Sequence, residues 1–196
     1  MNTPMNKFNT LQSAFVLFAM IGLIGLATPS GVNAQAAPMP ANQVVKAHGY
    51  VSLDRVPRGK EFEVAVVATI HDGYHMNSHK PLDPYLIPTT MSANTPQGIK
   101  VVDTIYPPGR DKKFPFSPTK PLNVYTGSVT LRLRMRAEPN AKIGTTTIPV
   151  TLRYQACSMS ACLPPVKIPV EVPVDIAAAS AASHPANRAV FSKTGM

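Results

Sequence analysis

Proline occupies 21 of the chain's 196 positions, about twice its ordinary usage of ~5%. Each proline fixes φ near −65° and removes a backbone donor, so it disrupts a helix interior. A chain interrupted this often cannot rest on long helices, and a coiled coil is excluded. Hydrophobic residues make up 44% and charged residues 15%. That is enough apolar surface for a core and too little charge for a highly charged disordered chain. The length predicts about one domain with tails.

The N-terminal segment reads as a secretory signal over residues 1–34. Lys7 supplies the positive start and Ala14 to Ala27 is an uninterrupted apolar run. Such a run is shorter than the ~20 residues of a spanning helix and suits a signal core. Val32-Asn33-Ala34 resembles a cleavage site. The expectation is export, with no stable membrane insertion after cleavage; the alternative is an uncleaved N-terminal anchor. Without Lys7 the formal charge of +9 becomes +8. The charges are scattered, and Arg132, Arg134 and Arg136 alternate as on one solvated strand face. No nucleic-acid partner is expected.

Residues 35–43 read as a flexible leader and 177–196, rich in Ala and Ser, as a disordered tail. The stretch between them, 44–176, alternates with period two. Phe62, Val64, Val66, Ala68 and Ile70 share one face; so do Val129, Leu131, Leu133 and Met135; so do Ile148, Val150, Leu152 and Tyr154; so do Val166, Ile168, Val170, Val172 and Val174. Residues 44–53 and 99–105 are further strand candidates. This pattern predicts strands buried on one face. Pro169 and Pro173, both outward, predict that the last strand lies at a sheet edge. The fold class expected is all-β, an antiparallel immunoglobulin-like β-sandwich. Residues 71–96 and 106–123 are long and Pro-rich. They are expected to be ordered loops or short strands broken by proline, and such loops tend to carry function.

Two cysteines are too few for a disulfide-dense scaffold or a four-cysteine zinc site. Cys157 and Cys162 flank four residues between two predicted strands. Opposed positions on paired strands bring Cα atoms to ~4.5–5.5 Å, inside the usual disulfide range of about 4.4–6.8 Å. The pair can therefore close. A loop this short gains little chain-entropy stabilisation, which favours a switchable dithiol, while a static staple remains open. His75, Met76 and His79 offer soft and imidazole donors suited to copper. A copper-binding β-sandwich is thus an alternative, as is an interaction module with a structural disulfide. No resident cofactor is expected.

The stretch Tyr154-Gln155-Ala156-Cys157 and Cys162-Leu163-Pro164-Pro165 resembles the N-terminal domain family of the DsbD thiol:disulfide interchange protein. Asp72-Gly73-Tyr74, in an early strand, and Val124-Tyr125-Thr126-Gly127, at a strand start after a cap loop, add to the likeness, which spans roughly residues 44–176. The resemblance implies a periplasmic thiol:disulfide oxidoreductase domain in an electron-transfer relay of the kind that serves cytochrome c biogenesis. It implies thioredoxin-like periplasmic partners and a membrane electron-conduit protein. Cys162 would form the mixed disulfide and Cys157 would resolve it. Phe114 or Phe116 would cap the pair, with Asp111, Tyr154 and Tyr74 positioning it. Lys112 falls where a family member carries an acidic residue.

Overall fold

The computed structural model describes residues 39–192. The signal segment, residues 35–38 of the leader and residues 193–196 of the tail lie outside the described residues. Twelve strands follow in order: β1 Val45–Val51, β2 Val56–Pro57, β3 Glu61–Ile70, β4 His75–Asn77, β5 Thr90–Ala93, β6 Ile99–Ile105, β7 Arg110–Phe114, β8 Ser117–Tyr125, β9 Ser128–Ala137, β10 Gly144–Tyr154, β11 Ala156–Cys157 and β12 Val166–Ala177. One short α-helix, α1, spans Arg188–Phe191, and a single 3-10 turn, Ala41–Gln43, precedes β1. Among the described residues no helix is long and apolar enough to cross a membrane.

Two four-stranded sheets form the sandwich, in the orders β1-β3-β9-β6 and β2-β12-β10-β5. The alternation seen in the sequence is the reason. Phe62, Val64, Val66, Leu131, Leu133 and Met135 enter the core from the first sheet; Ile148, Val150, Leu152, Val172 and Val174 meet them from the second. Each such side chain contributes about 1.5–3 kcal/mol on full burial. Gly49 sits where β1 crosses β12 closely, and a Cβ there would run into Val172. On the outer faces Arg132 and Arg134 reach Glu63 and Asp103 at 3.8 and 3.5 Å. All pairings are antiparallel except β2 with β12, which is limited to Ile176 and Ala177. Beside Pro169 and Pro173, β12 therefore has a neighbour on one side only, as its missing donors require.

The Pro-rich stretches build a third, smaller sheet in the order β11-β4-β8-β7. It has its own core of Phe114, Leu122 and Val124, with Leu86 packed against it. The hairpin of β7 and β8 begins at Gly109, where a Cβ would collide with the Asn123 amide and Ser78. Two expectations are displaced: Asp72-Gly73-Tyr74 forms the turn before β4, with Gly73 at φ 82°, rather than lying in a strand, and Val124 and Tyr125 close β8 rather than opening a strand, with Gly127, at φ 66°, making the turn into β9.

Both ends are better fixed than their composition suggests. The leader is pinned from Met39 onward, because the Tyr154 hydroxyl donates to the Ala41 carbonyl at 2.7 Å and Met39 N–H donates to the Tyr74 hydroxyl. The expected disordered tail instead returns along the outer edge of β1. Ala186 N–H donates to the Ser52 carbonyl, the Asn187 amide donates to the Val51 carbonyl, and His184 N–H donates to Asp54. Arg132 lies 6.0 Å from the Phe191 ring centroid. Backbone and side-chain hydrogen bonds hold this segment, and such bonds leave no apolar period to read.

Candidate functional site

The β10–β12 hairpin ends at the pair Tyr154 and Val166. Beyond it the chain leaves the large sheet, and β11 pairs with β4: Ala156 opposite Met76, Cys157 opposite His75. Gln155 holds this departure. Its side-chain oxygen accepts from the Asn77 amide at 3.0 Å and from Ile87 N–H at 3.1 Å, and its amide donates to the Leu163 carbonyl. One side chain thus ties β4 to both arms of the cysteine turn.

The turn itself is closed by Ser158. Its N–H donates to the Ala161 carbonyl at 2.8 Å, and its hydroxyl oxygen accepts from the N–H groups of Ser160 and Ala161. Cys157 and Cys162 face each other as an antiparallel bridge and form a disulfide with S–S 1.96 Å. Their Cα atoms are 3.9 Å apart, closer than the 4.5–5.5 Å expected from ideal strand pairing. The four-residue turn continues no sheet beyond this single bridge. The two sulfur residues differ in access: Cys157 is fully buried at 0% and Cys162 is exposed.

Over Cys157's partner lies an aromatic stack. The His75 ring is 4.0 Å from Phe114 at an interplanar angle of 18°, and Phe116 lies to one side, near-parallel to both, 5.4 Å from Phe114 and 6.4 Å from His75. Phe114 is buried, while Phe116 is 39% exposed. Asp111 braces the hairpin that carries them, accepting from the Asn123 amide at 2.6 Å. A cavity of about 270 Å³ beside the stack is lined by Tyr74, His75, Lys112, Phe114 and Met159. Tyr154 lies elsewhere, fully buried in the main core below the turn.

His75 is 2% exposed, and its Nε2 has no hydrogen-bond partner among the described residues. Burial, reinforced by the positive charge of Lys112, lowers its pKa from 6.5 to about 4. The consequence for stability follows from proton linkage. Between pH 6.5 and 4 the unfolded chain binds a proton at His75 that the folded one refuses, so stability is full above pH 6.5 and declines towards pH 4. Urea unfolding at pH 7 and pH 4.5 should show wild type losing about 2 kcal/mol more than His75→Phe. Equal losses would contradict the assignment.

The metal alternative finds no common centre. His75 lies under Phe114, Met76 is in the main core, and His79 stacks on Tyr106 at 3.6 Å with Nδ1 against the Thr89 carbonyl. Among the described residues no group of three or more His, Cys, Asp or Glu is placed to hold a metal. The sequence reading named both cysteines and the hairpin aromatics. It missed the bracing by Gln155 and Asn77 and the pairing of His75 with Cys157. The signal available was Gln155's place between a core tyrosine and a buried cysteine.

The model of the family described as thiol:disulfide interchange protein DsbD, N-terminal, matches residues 41–173. Among solved structures, similarity is found to the N-terminal periplasmic domain of ScsB from Proteus mirabilis, at 11% identity and TM-score 0.47, over 71% of this chain and 49% of that one. The chain therefore spans about half the length of that structure. A family 123 glycoside hydrolase from Clostridium perfringens gives 11% identity and TM-score 0.28, over 69% and 28%. AggA, a fimbrial major subunit from Escherichia coli, gives 6% identity and TM-score 0.27, over 67% and 96%. Scores this low establish neither a shared fold nor a shared function. No curated protein matches the chain in sequence.

Proposed function

The chain belongs to the DsbD N-terminal domain family of thiol:disulfide interchange proteins, and on that premise we propose that it carries electrons in the periplasm by opening and closing the Cys157–Cys162 disulfide against thioredoxin-like partners. The observation that carries this reading is the difference in access between the two sulfur residues. Thiol–disulfide exchange proceeds by attack of a thiolate on one sulfur, in line with the bond that breaks. Only Cys162 is presented to another protein. A partner thiolate attacks its sulfur, the intramolecular bond breaks, and the electron pair leaves with Cys157. In the reverse direction the Cys162 thiolate attacks a partner's disulfide, and Cys157 resolves the mixed disulfide from beneath.

The third sheet suits this use. It places Phe114 over His75, and His75 beside Cys157, so the inner sulfur is approached by no route as open as that to Cys162. Phe116 and Met159, 39% and 54% exposed, offer apolar contact near the turn. Asp111 holds the surrounding hairpin and Tyr74 lines the cavity beside it. Tyr154 acts at a distance, anchoring the strand from which the turn departs. The test is which sulfur a partner captures: Cys157→Ser should hold a thioredoxin-fold domain as a mixed disulfide, and Cys162→Ser should not.

A further inference from the structure

We propose that His75 is the hydrogen-bond partner of the Cys157 sulfur in the reduced protein, and that it favours reduction by stabilising the thiolate that leaves. The inference rests on the exchange reading for its biological sense, though its chemistry needs only that the disulfide can be reduced.

Three observations point to it. Cys157 and His75 are directly opposed in an antiparallel pair, so their side chains leave the sheet on one face with Cβ atoms about 5 Å apart. That is within reach of an imidazole. His75 is 2% exposed, and Nε2 is a buried polar atom without a partner. Buried polar groups are nearly always paired, and one that is not calls for an explanation. Finally, Phe114 stacked at 4.0 Å fixes the ring plane, so the atom cannot simply swing out to water.

The explanation is that the pairing depends on redox state. A disulfide sulfur is a weak acceptor, whereas a thiolate is a strong one. When a partner thiolate attacks Cys162, the S–S bond breaks and Cys157 receives the electron pair in an apolar pocket, where burial would otherwise raise its pKa. The neutral imidazole donates from Nε2 to this sulfur. The partner's second thiol then attacks the mixed disulfide and releases Cys162. Two electrons pass from the partner dithiol to the pair; one of its protons ends on Cys162 and the other is released to solvent, so that Cys157 stays a thiolate held by Nε2, and the partner ends as a disulfide. His75 supplies a hydrogen bond and no net proton, consistent with a ring kept neutral by burial. Of the elements packed around it, β7 contributes the charge of Lys112, and β11 contributes only Cys157. His71, Asp72 and Tyr74 line the adjoining cavity.

The test compares His75→Phe, which keeps an aromatic ring under Phe114, with His75→Gln, which keeps an N–H donor. Each protein is equilibrated in glutathione buffers and its thiols are alkylated. His75→Phe should shift the equilibrium about tenfold towards the disulfide, a potential lower by about 30 mV. His75→Gln should stay within about threefold of wild type. An unchanged potential in folded His75→Phe would overturn the proposal, as would His75→Gln behaving like His75→Phe. Should His75→Phe fail to fold, the imidazole ¹⁵N resonances of wild type decide: Nε2 must shift on reduction, and a constant signal overturns the proposal. These outcomes are separate from the carrier reading. A chain that shows the tenfold shift but captures no thioredoxin-fold domain keeps this inference and loses that reading.

Discussion

Cys162→Ser will lose mixed-disulfide formation with a thioredoxin-fold partner, while Cys157→Ser will accumulate it. The partner is best reduced to its single attacking cysteine and activated as an aryl disulfide, so that it cannot resolve the complex itself. In Cys157→Ser the exposed Cys162 thiolate attacks, and nothing remains beneath to displace it. In wild type, Cys157 is held against Cys162 by the Ser158 turn and the Gln155 brace, so resolution is intramolecular, with the advantage that proximity gives. The complex should therefore be scarce in wild type and at least tenfold more abundant in Cys157→Ser. In Cys162→Ser the remaining thiol is 0% exposed, and capture should fall by about a hundredfold or more. Non-reducing electrophoresis reads all three. Equal capture by both single-cysteine variants would mean that access does not set the order of attack.

Phe114→Ala is expected to have the second-largest effect, because one ring serves two purposes. It forms the small core of the third sheet with Leu122 and Val124, and it covers His75. Removing a buried phenylalanine side chain typically costs about 3–5 kcal/mol. The loss should be local, since this core is separate from that of the sandwich. Hydrogen exchange should quicken in β7, β8 and β4 and stay slow in β3, β9 and β10. With the ring gone, water reaches His75 and its pKa returns towards 6.5. Oxidation of the reduced pair by small disulfides should accelerate about tenfold or more. Fast exchange throughout the sandwich would show that the third sheet is not an independent unit, and an unchanged oxidation rate would show that it does not shield the pair.

What the sequence makes legible follows from where apolar faces point. β3, β9, β10 and β12 each bury one face, so period two is written into them, and the open edge of β12 beside Pro169 and Pro173 follows from those two outward prolines, while the short β2 that pairs with its far end is not foreseen. The third sheet carries no such signal. His75, Met76 and Asn77 are all buried because β4 is covered on both sides. In β7 only Phe114 is buried, and the other four residues are exposed. Neither pattern alternates. The tail is held by backbone and side-chain hydrogen bonds to residues 51–54, which leave no apolar period, and it is silent for that reason.

At the site the spacing of Cys157 and Cys162 suffices to place them opposite one another. Their unequal exposure is not written in that spacing. It arises because β11 is drawn onto β4, a pairing set by Gln155, Asn77 and Ile87 together, at long separation in the chain. His75 was legible only as a possible metal ligand, since nothing local reveals that its neighbour across the sheet is a cysteine.

The central claim is that Cys157–Cys162 is a working redox pair rather than a staple, and its reduction potential addresses this most directly. The protein is equilibrated in glutathione buffers of graded potential and quenched by thiol alkylation. The account expects half-reduction above about −300 mV, in the range of dithiols that exchange with periplasmic partners. A midpoint well below that value would mark a structural disulfide and contradict the account.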